Sequence, residues 1–230
     1  MNHLYDFYIF DADHTLFEFD AFEGLKHMFA NFDVQFNLED YEFYQQTNKP
    51  LWMQYQNGEI SADTLQTVRF SHWGKKLNIQ PKELNERFLD SMAEICEPLP
   101  NAKLLLETLK AKRKSLSILT NGFTALQQRR LNKTGLTDVF DHVIISEQVG
   151  FAKPDERVFK HTLDKLNINQ DQKSRVLMIG DTFASDIVGG QRAGIQTCWL
   201  NHHNEQLTDE QIKPTYEVKS LKDLMALLEL

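Results

Sequence analysis

The stretch FYIFDADHT, residues 7–15, decides the fold of this chain. Its first four residues are apolar, which is typical of a strand buried on both faces of a parallel sheet. They run directly into a polar segment that contains Asp11 and Asp13. Reactive groups of an open parallel sheet gather outside the carboxyl ends of its strands. The segment after residue 10 is therefore the first candidate for a functional site.

Four more short apolar runs predict strands of the same kind, at Leu116–Leu119, Val143–Ile145, Val176–Ile179 and Thr197–Leu200. Apolar residues with the i, i+3, i+4, i+7 spacing of a helix recur within residues 102–109, 159–166 and 221–228. Strands that alternate with helices predict an α/β fold, in which helices cover both faces of a parallel sheet.

The interval between the first two strands has little strand signal and several helix starts, at Asn37, Ser61 and Pro81. A single crossover between parallel strands does not need so many residues. We therefore predict an inserted helical cap domain at residues 19–97 and a core domain formed by residues 1–18 and 98–230.

Composition limits the classes of partner. The 230 residues carry a net charge of -8, which argues against binding a nucleic-acid polymer through its backbone phosphates. No apolar run approaches the ~20 residues that span a bilayer, so we expect no membrane segment. Cys96 and Cys198 lie far apart without ligand-like neighbours, which favours reduced thiols and a cytoplasmic location.

Polar side chains follow the other predicted strands as well. Thr120 and Asn121 end the second, Lys153 follows the third, and Asp181 ends the fourth with Asp186 close behind it. Carboxylates crowded at one sheet edge repel each other unless a cation neutralises them, and oxygen ligands suit Mg²⁺. With such an ion bound, a phosphate group can approach, and a hydroxyl and an ammonium group can stabilise its oxygens.

The order Asp-x-Asp-x-Thr, Thr-Asn, Lys and Gly-Asp-x-x-x-x-Asp, each segment after a predicted strand, resembles the haloacid dehalogenase superfamily along essentially the whole chain. The resemblance implies a Rossmann-like core with an inserted helical cap and a phosphatase that depends on Mg²⁺, with Mn²⁺ as the alternative ion. Haloacid dehalogenases themselves lack the second aspartate, so Asp13 and Asp181 together favour phosphoryl transfer.

The resemblance also implies residue roles. Asp11 would attack phosphorus and form an aspartyl-phosphate, while Asp13 would act as general acid and then general base. Thr120, Asn121 and Lys153 would bind the phosphoryl group. The implied metal set is Asp11, the main-chain carbonyl of Asp13, Asp181 and Asp186, the last either through water or by a hydrogen bond to Lys153.

Two histidine positions stand apart from these motifs. His14 occupies a position where many relatives have glycine, and Thr15 after it would support the loop. The adjacent His202 and His203 lie in a polar segment, and paired histidines of this kind are more often exposed than metal-bound.

Further segments, including residues 48–52 and 198–201, resemble a bacterial branch of the superfamily, the YjjG-type pyrimidine 5′-nucleotidases. This implies a nucleoside monophosphate as substrate, with Phe19, Trp52 or Tyr55 of the cap stacking on the base. The alternative is a phosphatase or phosphomutase for sugar phosphates or other small phosphorylated metabolites, or a non-catalytic binding module. Either a monomer or a small homo-oligomer is compatible with the sequence.

Overall fold

A computed structural model describes residues 4–206 and 212–230 of the chain. Its strands are β1 Phe7–Phe10, β2 Ser115–Thr120, β3 His142–Ile145, β4 Val176–Gly180, β5 Gln196–Leu200 and β6 Tyr216–Val218. They form one parallel sheet in the order β3-β2-β1-β4-β5-β6. The α/β prediction is confirmed, and each of the five predicted strands lies within one residue of its observed bounds. The short edge strand β6 was not predicted.

The α-helices are, in chain order, α1 Ala21–Ala30, α2 Leu38–Gln56, α3 Ala62–Val68, α4 Ser71–Leu77, α5 Pro81–Ile95, α6 Ala102–Ala111, α7 Thr124–Thr134, α8 Ser146–Val149, α9 Glu156–Lys165, α10 Val188–Arg192 and α11 Leu221–Leu227. A 3₁₀-helix spans Gln170–Arg175, and a π-helix spans Phe183–Ile187.

The predicted helix starts are confirmed, each for a local reason. The side chains of Asn37 and Asp40 form a reciprocal capping box at the start of α2. The side chain of Ser61 accepts a hydrogen bond from the Thr64 amide at the start of α3. Pro81 is the first residue of α5, where its missing N–H costs nothing.

The core of the sheet is apolar on both sides of its central strands. Ile9, Ile118 and Ile179 are fully buried in β1, β2 and β4. Helix α9 packs Phe159 and Leu163 into the cluster that contains Ile9. Burial of each such side chain stabilises the fold by about 1.5–3 kcal/mol relative to exposure. The buried strands in turn hold the polar residues that follow them in place.

The chain divides into two compact units. The core unit comprises the described residues up to Glu18, residues Glu97–Asn121 and the described residues from Gly135 onward. The helical unit comprises Phe19–Cys96 and Gly122–Thr134. Helix α7 thus belongs to the helical unit, whereas the sequence division assigned it to the core. The reason is its packing against α5, where Arg129 forms ion pairs with Glu86 and Asp90 at 2.9 and 3.1 Å.

Helix α5 is the centre of the helical unit and contacts α1, α3, α4 and α7. Its approach to α1 is close enough that a Cβ atom on Gly24 would lie 2.1 Å from the Met92 sulfur. A larger residue at position 24 would therefore require the Met92 side chain to move.

A buried polar network also ties this unit together. Arg69, only 5% exposed, donates through Nε and Nη2 to the Asn85 side-chain oxygen, at 3.0 and 2.5 Å. Asn85 donates in turn to Gln66 at 2.9 Å, and Tyr44 hydrogen-bonds to Asn48 at 3.3 Å. Burial lowers the pKa of Arg69, and a hydrogen bond to Tyr44 acts in the opposite direction. These bonds link α2 and α5 to the segment around α3.

The structure bears on two features noted in the sequence, the cysteines and the length of the apolar segments. Cys96 and Cys198 are both buried and free of disulfide bonds. No helix within residues 4–206 and 212–230 has both the length and the apolar character that a membrane span requires.

Candidate active site

Adjacent strands deliver the candidate residues to one edge of the sheet. The register of the sheet sets Phe10 of β1 beside Ile118 of β2 and Ile179 of β4. The Asp11 amide then donates to the Ile179 carbonyl at 2.8 Å. The segments that follow these three strands therefore begin next to one another at the carboxyl edge of the sheet, as the sequence predicts.

Lys153 lies at the centre of this cluster. Its ammonium nitrogen is 2.5 Å from Asp11 Oδ1 and 2.7 Å from Asp186 Oδ1, and the residue is 1% exposed. Burial alone would lower the pKa of Lys153, but the carboxylates of Asp11 and Asp186 raise it above its usual value. The lysine is therefore charged and compensates two buried acids.

The carboxylates of Asp11, Asp181 and Asp186 offer oxygens that all lie within 4.8 Å of one another. Burial raises the pKa of Asp11 to about 7, an effect that Lys153 opposes and that Asp186 and Asp13 reinforce. Burial and the charge of Asp11 raise the pKa of Asp181 to about 7. Burial also raises the pKa of Asp186. When all four groups are ionised, the three acids and the one ammonium carry a surplus of negative charge.

This donor set fits a hard divalent cation. Mg²⁺ prefers oxygen ligands and is commonly bound by one or two carboxylates, and the cluster has three, all from the core unit. Asp186 already gives one oxygen to Lys153 and the other to the Thr182 amide at 3.0 Å. The carboxylates of Asp11 and Asp181 are therefore the better direct ligands. The half-buried Asp13 side chain is not one of the three acids.

The Asn121 side chain makes two hydrogen bonds that the resemblance did not imply. Its side chain donates to the Lys153 carbonyl at 2.9 Å and accepts from the Lys153 amide at 2.7 Å. These two bonds use the amide group to hold the main chain that carries the ammonium. We therefore interpret Asn121 as a residue that positions Lys153. Contact of Asn121 and Thr120 with the phosphoryl group stays a prediction, and Thr120 is 1% exposed at the end of β2.

Gly180 lets the Asp186 carboxylate reach the site. A Cβ atom at this position would lie 2.2 Å from Asp186 Oδ2. The π-helix that contains Asp186 begins three residues later, so any side chain at position 180 would displace the acid that compensates Lys153. Thr15 is also fully buried, and its hydroxyl makes no hydrogen bond to the described residues, so its support of the loop is by packing.

The predicted aromatic residues lie in the helical unit, and two of them are neighbours. The ring centroids of Trp52 and Tyr55 are 5.8 Å apart, and Trp52 also lies 5.2 Å from the ring of Phe123. Phe19 is half-buried at the start of the same unit. Phe123 was not selected from the sequence, because a single phenylalanine after Thr-Asn-Gly has the appearance of a core residue.

Two contacts to main-chain carbonyl oxygens near the site were not predicted from the sequence. The indole of Trp199 donates to the Asp181 carbonyl at 2.8 Å and packs its ring 5.1 Å from Phe183. His202 hydrogen-bonds to the main-chain carbonyl of His14 at 2.8 Å. Both partners are main-chain oxygens, which no side-chain motif could have indicated.

Residues 8–200 match the family model of haloacid dehalogenase-like hydrolases. The chain belongs to this family. Solved haloacid dehalogenases have the same fold, for example one from Pseudomonas syringae at 22% identity and a TM-score of 0.72, with 98% of each chain covered.

Two relatives of the chain are pyrimidine 5′-nucleotidases. YjjG of Escherichia coli is 52% identical over 97% of this chain and 98% of the relative. PynA of Streptococcus pneumoniae is 37% identical over 98% of this chain and 95% of PynA. The HAD-hydrolase YfnB of Bacillus subtilis, solved bound to magnesium, has a TM-score of 0.83 and 29% identity, and 98% of this chain and 99% of YfnB are covered. Pyrimidine 5′-nucleotidases hydrolyse phosphate monoesters, and both of these relatives align along nearly the whole of this chain.

Proposed function

We propose that this family member is a Mg²⁺-dependent phosphatase of pyrimidine nucleoside 5′-monophosphates that forms an aspartyl-phosphate on Asp11. The observation that carries the proposal is the buried ammonium of Lys153, which contacts Asp11 at 2.5 Å and Asp186 at 2.7 Å. This contact opposes the effect of burial on Asp11 and so favours its ionised, nucleophilic form. Asp11 and Asp181 would hold the cation, which lowers the repulsion between Asp11 and an incoming phosphate dianion.

In the first step, a carboxylate oxygen of Asp11 attacks phosphorus as the bond from phosphorus to the nucleoside 5′-oxygen breaks. Asp13 gives its proton to that oxygen, and the nucleoside leaves as a neutral alcohol. Lys153 and Thr120 donate to the phosphoryl oxygens, where negative charge must be stabilised in the transition state.

In the second step, water attacks phosphorus and the bond to Asp11 breaks. Asp13, now ionised, accepts a proton from the water, which restores both aspartates and releases inorganic phosphate. One residue thus acts as acid and then base. This role suits a side chain that stands outside the cluster of three acids.

A pH-dependent response to Mg²⁺ follows from the raised pKa values. Burial raises the pKa of Asp181 from an ordinary value of 3.8 to about 7, so its stabilising contribution is present at low pH and lost as pH rises through 7. A bound cation offsets that loss. We expect Mg²⁺ to raise the melting temperature more at pH 8 than at pH 6, measured by scanning calorimetry, and Asp181→Asn to remove most of the difference. Equal increases at both pH values would contradict this metal site.

The names of the two nucleotidase relatives support the substrate class, and both align along nearly the whole chain. The test is a panel of uridine, deoxyuridine and thymidine monophosphates against purine monophosphates, sugar phosphates and para-nitrophenyl phosphate, each with and without Mg²⁺. We expect pyrimidine monophosphates to have the highest kcat/KM. A panel led by sugar phosphates would refute the nucleotidase proposal alone, and no hydrolysis of any ester would favour a non-catalytic module.

Trp52, with Tyr55 and Phe123 against its ring, is the best candidate for stacking on the base, and Phe19 is a second. Stacking of a base on an aromatic ring contributes ~1–3 kcal/mol, so Trp52→Ala should raise KM for a pyrimidine monophosphate by about 5- to 150-fold. KM for para-nitrophenyl phosphate should change much less.

The matched control is Phe43→Ala, which removes an exposed ring from the same helix, α2. It should leave both KM values unchanged. Equal effects of Trp52→Ala on the two substrates would indicate that the indole stabilises the helical unit and does not recognise the base.

Three finer properties belong to the same proposal. Mn²⁺ should replace Mg²⁺, because the ligands are oxygens suited to either ion. The partner is a small phosphorylated metabolite, with neither a nucleic-acid polymer nor a membrane involved, and the two buried thiols favour a cytoplasmic location. A monomer or small homo-oligomer remains the prediction from sequence, to be measured by light scattering.

A further inference from the structure

The loop that carries Asp13 contains a residue in an unfavourable backbone conformation. His14 has a φ angle of 55°, in the left-handed region that favours glycine. Hydrogen bonds hold the loop on both sides of it. The His14 amide donates to the Phe17 carbonyl at 2.8 Å, and the amides of Leu16 and Phe17 both donate to the Ala12 carbonyl at 3.0 Å. A conformation of this kind persists only where its surroundings enforce it.

His202 supplies a contact from outside the loop. Its Nε2 atom lies 2.8 Å from the His14 carbonyl oxygen, and its Nδ1 atom lies 3.1 Å from the Lys219 carbonyl oxygen. Carbonyl oxygens only accept hydrogen bonds, so each contact requires a ring N–H, and a neutral imidazole has one. The tautomer with its proton on Nε2 donates to His14.

The ring therefore connects distant parts of the core unit. His202 follows β5, Lys219 follows β6, and His14 follows β1, which the sheet order separates from β5 by β4. A pocket of about 210 Å³ beside this contact is lined by His14, His202 and Asp181 among others. Both ring nitrogens of His202 are directed at carbonyl oxygens. These contacts account for the position of the ring without metal binding.

We propose that His202 is a positioning residue for Asp13. The Phe17 carbonyl fixes the peptide group before His14, and His202 fixes the peptide group after it, so the two contacts hold both flanks of the left-handed residue. Loss of the His202 contact would let the loop relax and would misplace the Asp13 carboxyl group, the proton donor. The inference rests on the role proposed above for Asp13, and it assigns His202 to the rate of the chemical step, not to substrate binding.

The activity test compares three variants of His202 with a neighbouring control. His202→Ala and His202→Phe both remove the donor, and the second keeps an aromatic ring if the first does not fold. His202→Gln retains an N–H donor. The control is His203→Ala, at the exposed adjacent position. For one hydrogen bond we expect kcat on para-nitrophenyl phosphate to fall about three- to tenfold in the first two variants, with KM unchanged. Activity should be largely restored in the glutamine variant and normal in the control.

A second readout does not depend on activity. Hydrogen–deuterium exchange of a peptide that covers residues 11–17 should be faster in His202→Ala and His202→Phe than in the parent and in His203→Ala. Normal kcat in the donor-free variants, or reduced kcat with unchanged exchange and no recovery in His202→Gln, would overturn the inference. An inactive parent enzyme would instead refute the proposed function, and the exchange measurement would still report on the contact.

Discussion

Asp11→Asn is expected to reduce kcat by at least about 1,000-fold while the protein remains folded. An amide has nearly the same shape as the carboxylate but is a poor nucleophile, so no aspartyl-phosphate can form. The side chain is 12% exposed and contacts Lys153, which keeps Asp186 as its second partner in the variant. Steady-state kinetics with para-nitrophenyl phosphate and thermal unfolding measure the two properties.

Asp138→Asn is the matched control for this change. It makes the same chemical substitution at an exposed position of the core unit, and we expect normal turnover. If Asp11→Asn retained more than about a tenth of the parent kcat, Asp11 would have no role as nucleophile.

Lys153→Met should have the second largest effect, on both activity and stability. Methionine is close to lysine in length but leaves the buried Asp11 and Asp186 without their cation. Breaking such a pair costs about 3–5 kcal/mol of unfolding free energy, and removing one donor from a transition-state oxygen lowers kcat by about 100- to 1,000-fold. Urea unfolding without Mg²⁺ and steady-state kinetics with Mg²⁺ measure these effects.

The loss of stability in Lys153→Met should depend on pH. Burial raises the pKa of Asp11 and Asp186, so protonation relieves the uncompensated charge, and the loss should be smaller at pH 6 than at pH 8. Lys160→Met removes an exposed lysine that pairs with Asp164 within α9, and we expect it to change stability by less than about 1 kcal/mol. Similar results for the two lysine variants would contradict the central position given to Lys153.

Local patterns were sufficient for much of the fold. The apolar runs that ended at Phe10, Leu119 and Ile179 predicted β1, β2 and β4 because strands buried on both faces must be apolar throughout. The polar residues that follow such strands predicted the cluster of Asp11, Asp181 and Asp186, since the carboxyl ends of parallel strands meet at one edge.

Features that depend on distant partners could not be predicted in this way. Strand β6 has three residues and lacks an apolar run, so its pairing with β5 defines it. Helix α7 belongs to the helical unit because Arg129 finds acids on α5, about 40 positions away in the chain. Asn121 and His202 bind main-chain atoms, and the position of those atoms follows only from the fold.

The most direct test of the account is chemical trapping of the phosphorylated residue. The enzyme would be quenched with acid during turnover of a pyrimidine monophosphate, reduced with borohydride, digested and analysed by mass spectrometry. Borohydride reduces an aspartyl-phosphate to homoserine, and we predict homoserine at position 11 in a reaction that depends on substrate and Mg²⁺. Modification of a different residue, or an unmodified Asp11 in an enzyme shown to be turning over, would contradict the account.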